Sequence, residues 1–127
     1  MAGSASDYLE NKLIDHSLGT TTFSKPTTIY AALYTVAPSD SSAGTEVTGG
    51  SYGRQTITFG AASSGSASND ANVDFNGMPT CTVVAVGILD NSTSGNLLYW
   101  GTLASSRSVT SGDSIRIASG ALTVSLD

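Results

Sequence analysis

The sequence predicts an all-β protein: an antiparallel β-sandwich or jelly roll of about seven to eight strands, with one N-terminal amphipathic helix. Three observations predict it. The charged fraction is 12%, about half the usual quarter for soluble domains, in a chain rich in Ser, Thr and Gly. Three runs, Ile29–Val36 (IYAALYTV), Cys81–Leu89 (CTVVAVGIL) and Asn96–Leu103 (NLLYWGTL), have strand length and are apolar on both faces. After Pro26 the hydrophobic period is two, and turn signals recur between the runs. An antiparallel strand in a small sandwich normally alternates apolar and polar side chains, because only one face meets the core. The two-sided runs therefore call for a cover on their second face, which the helix or another subunit would supply.

The only convincing helix spans residues 7–18. Asp7 is its expected N-cap, and Glu10 stands three residues on, as in a capping box. Leu9, Leu13 and Ser17 follow helical spacing, and Ile14 and Leu18 widen the stripe. Lys12 and His16 lie toward the C-terminal end, where they suit the dipole, and Gly19 is a natural C′ residue. Residues 20–25 read as a loop, and Pro26 pushes Lys25 toward extended geometry. The chain thus divides into a helix and arm, 1–25, and a sandwich, 26–127.

Ile29–Val36 is the first strand, followed by a long loop over residues 37–50. Arg54–Phe59 alternates, with Gln55, Ile57 and Phe59 on one side. Residues 60–71 are a connector of small polar residues, and Val73 and Phe75 share one face of a short strand. Asn76-Gly77 and Met78-Pro79 mark a turn before the run at Cys81. Asp90–Gly95 turns the chain into Asn96–Leu103, and Ser111-Gly112-Asp113 is a further turn. Ser114–Ala118 and Ala121–Leu126 complete the set, with Leu122, Val124 and Leu126 on one face.

Composition narrows the function classes. The net charge is −5, and the basic residues are Lys12, Lys25, Arg54, Arg107 and Arg116, scattered along the chain. Nucleic-acid binding needs clustered Lys and Arg, so it is not expected. A single cysteine permits no intrachain disulfide, and Cys81, opening an apolar strand, reads as a buried structural thiol. The first residues, MAGSASDYLENK, lack the basic-then-apolar order of a signal peptide, and no stretch approaches the ~20 apolar residues of a membrane span. The expectation is synthesis in a cytoplasm and assembly there into a particle, with no membrane partner.

No residue set points to catalysis or to a cofactor. His16 is the only histidine and has no Cys or second His for a metal, so it reads as a surface or interface residue. No Gly-x-Ser-x-Gly elbow is present. Asp90–Gly95 has alternating oxygen side chains like a calcium loop, but Gly101 stands where the bidentate Glu belongs, so a hairpin turn is the better reading. Asn91-Ser92-Thr93 matches a glycosylation sequon, which carries no weight without a secretory signal. Arg54 is expected to form a partly exposed structural ion pair with Glu46 or Asp74, with an intersubunit pair as the alternative. Tyr99 and Trp100 point to opposite faces of one strand, and such residues are enriched in subunit contacts. The interface candidates are Leu9, Leu13, Leu18, Tyr34, Tyr99 and Trp100.

The sequence also resembles a family of small virion proteins of tailed bacteriophages, of the tail-fibre or minor structural kind. The resemblance rests on an ordered set spanning nearly the whole chain: Tyr8–Leu13; Tyr30–Thr35 with Ala37-Pro38; Gly44–Val47, Gly49–Tyr52 and Arg54; Phe59–Ser63; Gly95–Gly101; and Ser111-Gly112-Asp113 with Gly120–Asp127. Each motif alone is weak; their order is specific. It departs from the family pattern at Asn76–Cys81. The resemblance implies a virion structural protein and no enzymatic activity. Tail fibres are long, trimeric and repetitive, whereas small phage sandwiches often decorate the shell. The expectation is therefore a capsid cement protein on the capsid exterior. Its partners would be the major capsid protein and copies of itself, as dimer or trimer. A tail-tip or fibre-base subunit is the alternative. A carbohydrate-binding module for host recognition, with Tyr99 or Trp100 as a stacking platform, is a reading of a different class.

Overall fold

The computed structural model describes residues 2–126. The elements are β1 (Ala2–Ala5), α1 (Asp7–Ser17), β2 (Ile29–Val36), β3 (Thr45–Glu46), β4 (Gln55–Ile57), β5 (Ser66–Ser68), β6 (Val73–Phe75), β7 (Cys81–Leu89), β8 (Leu97–Val109), β9 (Ile115–Ile117) and β10 (Thr123–Ser125). The molecule is an all-β sandwich with one short helix, as its sequence predicts. One layer is a six-stranded antiparallel sheet in the order β1-β8-β7-β2-β3, with β4 pairing the other half of the same β2 edge. The second layer is made of two ribbons, β5–β10 and β6–β9.

The three two-sided runs are β2, β7 and β8, which lie side by side at the centre of the large sheet. Their first face meets the ribbons. Ala31, Leu33, Val83, Val86 and Ile88 pack there against Val73, Phe75, Ile115 and Leu122. Burying one such large side chain contributes about 1.5–3 kcal/mol, so this cluster dominates the stability. Strand β7 keeps apolar residues on both faces through register shifts, one between Val83 and Ala85 and one between Ile88 and Leu89. A bulge flips the parity of the alternation, so Val83 and Val86 share a face although their spacing is odd.

The second face closes within the chain. Ala32, Tyr34, Ala85 and Leu89 are buried there, with Ala37, Val84 and Leu97 packed against them. Small residues line much of this face, and the Tyr34 side chain packs there beside Gly87. A Cβ at Gly87 would sit 2.7 Å from Tyr34 Cε1 and 2.9 Å from Leu97 Cδ1, so a larger residue there would have to displace these side chains. Helix α1 covers a different area, the β1–β8 edge, where Leu9 packs with Ala5 and Leu98. Within the subunit, Tyr34, Ala37 and Leu97 contribute to the cover of this face, and the helix packs elsewhere.

Three elements, and the extension of a fourth, escaped sequence reasoning. β1 pairs with β8 from Ala2↔Thr102 to Ala5↔Tyr99, so the stretch before the helix is an edge strand. The segments 1–25 and 26–127 are joined by this pairing; their ends at Met1 and Asp127 lie outside the described residues. β3 and β5 lie in the stretches read as loop and connector. β8 runs on to Val109, opposite Cys81–Val83, through the exposed polar stretch Ala104–Ser108. These stretches are Gly-, Ser- and Ala-rich. They are strands because a neighbouring strand offers free backbone groups, which no side-chain period reports.

The helix cap also differs. Ser6, not Asp7, is the N-cap: its Oγ accepts the Leu9 N–H at 3.3 Å and donates to the Leu97 carbonyl. Ser6 is buried against β8, and the hydroxyl serves both partners there. The C-terminus follows expectation. Gly19 has φ +79°, the Gly19 N–H donates to His16 O at 3.3 Å, and the Thr20 N–H donates to Asp15 O at 2.8 Å, which is a Schellman closure.

Candidate interaction surfaces

Three surfaces follow from this fold. The first is the outer face of α1. Leu9 is buried and Leu13 half-buried, which anchors the helix. Ile14 and Leu18, four residues apart, are 55% and 76% exposed. They form an apolar pair that the subunit itself does not cover. Of the residues expected at an interface, Leu18 is thus accessible, Leu13 partly so, and Leu9 belongs to the internal packing. Ile14 is the residue sequence reasoning left out; its place on the edge of the helical stripe is the signal that could have found it.

The second surface is the rim of the sheet's second face, around Tyr34 and Trp100. Tyr34 is only 3% exposed, and its hydroxyl makes no hydrogen bond among the described residues. Burial, with the nearby Glu46 carboxylate adding to it, pushes its pKa up to about 12. Glu46 stands opposite Tyr34 across β2 and β3. The Arg54 Nη2 donates to Glu46 Oε1 at 2.9 Å, and the Tyr52 hydroxyl donates to Glu46 Oε2 at 2.6 Å. The Tyr52 oxygen in turn accepts the Leu33 N–H at 3.0 Å. Burial and the bond to Glu46 raise the Tyr52 pKa strongly, and Glu46 raises that of Arg54. Of the two partners expected for Arg54, the structure selects Glu46; Asp74 pairs with Arg116 at 2.6 Å across the β6–β9 ribbon. Tyr52 and Leu33 N–H are the members of this network the sequence did not reveal, because they meet only through tertiary contact.

Tyr34, Gly44, Glu46, Arg54, Leu89 and Leu97 line a cleft of about 280 Å³ on this face. Trp100 lies on the same side of the sheet, opposite Gly87, half-buried, with its Nε1 donating to Asp40 Oδ1 at 2.9 Å. Tyr99 faces the other way. It is half-buried beside Ile29, Phe59, Ile88, Leu98 and Val124 around an apolar cavity of about 150 Å³, the third surface. Tyr99 and Trp100 do take opposite faces, and neither is a flat exposed platform.

Cys81, expected to be buried, is only half-buried at the start of β7. Several of the remaining polar groups hold loops in place. The Asp90–Gly95 turn is held by Asp90, whose carboxylate accepts from the Asn96 N–H at 2.7 Å and the Asn96 Nδ2 at 3.0 Å. Arg54 Nη1 donates to the Asn91 and Ser94 carbonyls at 2.9 and 2.7 Å, so a guanidinium, rather than a cation site, organises this loop. His16 Nδ1 accepts the Phe23 N–H at 3.0 Å and ties the loop to the helix. Asp7, Glu10 and Asp40 bring carboxylate oxygens within 4.8 Å of one another, all exposed. Buried Asn69 is a staple: its Nδ2 donates to the Ala71 and Ala118 carbonyls and its Oδ1 accepts the Leu122 N–H, each at 2.9 Å.

Residues 4–125 match the family described as podophage GP4 fiber I protein gp80. The chain belongs to this family. Membership makes this fiber I family protein a small structural protein of a bacteriophage virion, tail-fibre-like in kind. It agrees with the resemblance carried by the ordered motifs from Tyr8 to the C-terminal strand. The matched span takes in the helix, the large sheet and both ribbons, so the whole sandwich is the family unit. No curated protein matches the chain.

Proposed function

We propose that the chain is a structural subunit of the phage fibre apparatus that acts through protein–protein contact and carries out no reaction. The observation that carries this reading is the family match over residues 4–125. The geometry supports it. Glu46, Arg54, Tyr52, Asn69 and Asp90 each hold backbone or another side chain in place, which is a framework use of polar groups. The apolar pair Ile14 and Leu18 is the contact surface we assign, and its partner would be another virion protein or a second copy of the chain.

A capsid cement role is the second reading, with the major capsid protein and further copies of the chain as partners. A sandwich of this size without repeats suits a shell-bound subunit as well as a fibre base. Copy number per purified particle and immunogold labelling separate the two. The fibre reading expects a few to a few tens of copies at the tail and impaired adsorption in particles lacking the protein. Hundreds of copies over the shell, with unchanged adsorption and DNA loss at lower temperature, would replace it with the cement reading.

A further inference from the structure

The Asn76-Gly77 turn carries a chemistry that a purely adhesive role does not use. Asn76 follows Phe75, where the β6–β9 ladder ends opposite Ile115, and it stands beside Ser114. It is exposed, and the Ser114 hydroxyl donates to its Oδ1 at 2.9 Å. The Asn76 Nδ2 and the Gly77 N–H have no protein partner among the described residues. Gly77 has φ +64°, and a Cβ there would sit 2.8 Å from the Cβ of Ser51, so the position suits glycine. The backbone nitrogen next to the Asn76 side chain is therefore free of any neighbouring side chain. The other asparagines differ. Asn69 is buried and bonded through both ends of its amide, and Asn11 lies within α1. Asn72, Asn91 and Asn96 each precede a residue whose side chain crowds the corresponding nitrogen.

We propose that Asn76 is a site of spontaneous deamidation, with the Ser114 hydroxyl assisting. The Gly77 nitrogen attacks Asn76 Cγ and gives its proton to water. The Cγ–Nδ2 bond breaks, and the amide nitrogen takes up a proton and leaves as ammonia. The product is a cyclic succinimide that joins the side chain to the Gly77 nitrogen. Water then opens the ring at either carbonyl, leaving an aspartate or an isoaspartate. Nothing is oxidised or reduced, and water is the only co-reactant. The oxygen that gains negative charge in the first step is Oδ1, to which Ser114 already donates, and a donor placed there stabilises that charge as it develops. The isoaspartate branch lengthens the main chain by a methylene group directly before Gly77. The Gly77 carbonyl accepts the Ser51 N–H at 2.8 Å. The next residue, Met78, is fully buried; its N–H donates to the Asp113 carbonyl and its carbonyl accepts the Gly112 N–H, each at 2.9 Å. A lengthened turn strains these bonds, whereas the aspartate branch changes only the charge.

Incubation of the whole folded chain at neutral and at mildly alkaline pH, followed by isoelectric focusing and peptide mapping by mass spectrometry, tests it. The expected result is a more acidic form that accumulates with first-order kinetics and carries the amide-to-acid mass gain at Asn76. It should form faster at the higher pH, because the Gly77 nitrogen must lose its proton. Asn76→Gln should remove this form, since closing the larger ring is slow. Ser114→Ala, at an exposed position, should slow it about three- to tenfold while thermal unfolding moves little. The purified isoaspartate form should unfold at a lower temperature than the Asn76→Asp variant. The proposal is overturned if the folded chain forms no acidic product, with the urea-unfolded chain as the control for the assay. A mass gain mapped to another asparagine, or an undiminished rate in Ser114→Ala, would overturn it as well.

Discussion

At the scale of single residues, polar side chains set the loops of this sandwich. Asn69 ties residues 71, 118 and 122 together from a position only 2% exposed. Asn69→Ala takes the side-chain partner from the Leu122 N–H and the Ala71 carbonyl and leaves the Ala118 carbonyl only its bond from the Ala121 N–H, and urea denaturation should show a loss of about 2–4 kcal/mol. Tyr52 and Tyr34 give a pH signature. Both pKa values are raised in the fold, so the fold favours the protonated phenols. Their contribution is intact below pH about 10, the value of a free phenol, and is lost as pH rises above it. Stability measured from pH 8 to 12 should fall above 10, and Tyr52→Phe, though less stable at neutral pH, should fall less steeply. At the acid end the signs reverse. Arg116 holds Asp74 low, and the Thr110 N–H and hydroxyl hold Asp113 low. Their contribution is present above pH about 4 and is lost as pH falls through the lowered values.

At the scale of elements, the helix separates anchoring from display. Leu9 is buried against Ala5 and Leu98, and Leu9→Ala should cost about 2–4 kcal/mol. Ser6→Ala removes the cap and the bond to the Leu97 carbonyl, at a cost of about 1–2 kcal/mol. Ile14→Asp with Leu18→Asp changes exposed positions only, so thermal unfolding should move little while incorporation into particles is lost. Normal incorporation of the double variant would dismiss this face as the contact. Deletion of residues 1–19 is a harsher test, because it also removes β1 and exposes the β8 edge along Tyr99–Thr102. A soluble, folded but unincorporated truncation would support the helix as the docking element.

At the scale of the whole molecule, an adhesive role predicts a particular response to salt. With a charged fraction of 12% and an exposed pair made of Ile14 and Leu18, contacts to virion partners should be apolar and hydrogen-bonded. Screening acts on exposed charges, so release from particles should depend weakly on salt between about 0.1 and 1 M. Sedimentation of particles with quantification of the released chain checks this, and steep release with salt would point to an electrostatic dock instead.

What the sequence determined by itself was the all-β class, the central strands and the virion family. Ile29–Val36, Cys81–Leu89 and Asn96–Leu103 are strong local signals, since burial on both faces of the central strands favours apolar side chains at consecutive positions. The helix and its Gly19 stop were legible for the same local reason. Only the tertiary structure decided what covers the second face of the sheet, where the missing Cβ of Gly87 makes room for Tyr34. It also decided that Ala2–Ala5, Thr45–Glu46 and Ser66–Ser68 are strands, because their partners are distant in sequence and their side chains carry no period. The cleft belongs to this second kind. Glu46, Arg54, Leu89 and Leu97 meet Tyr34 only when β3, the Asp90 turn and β8 converge, and no spacing along the chain records that encounter.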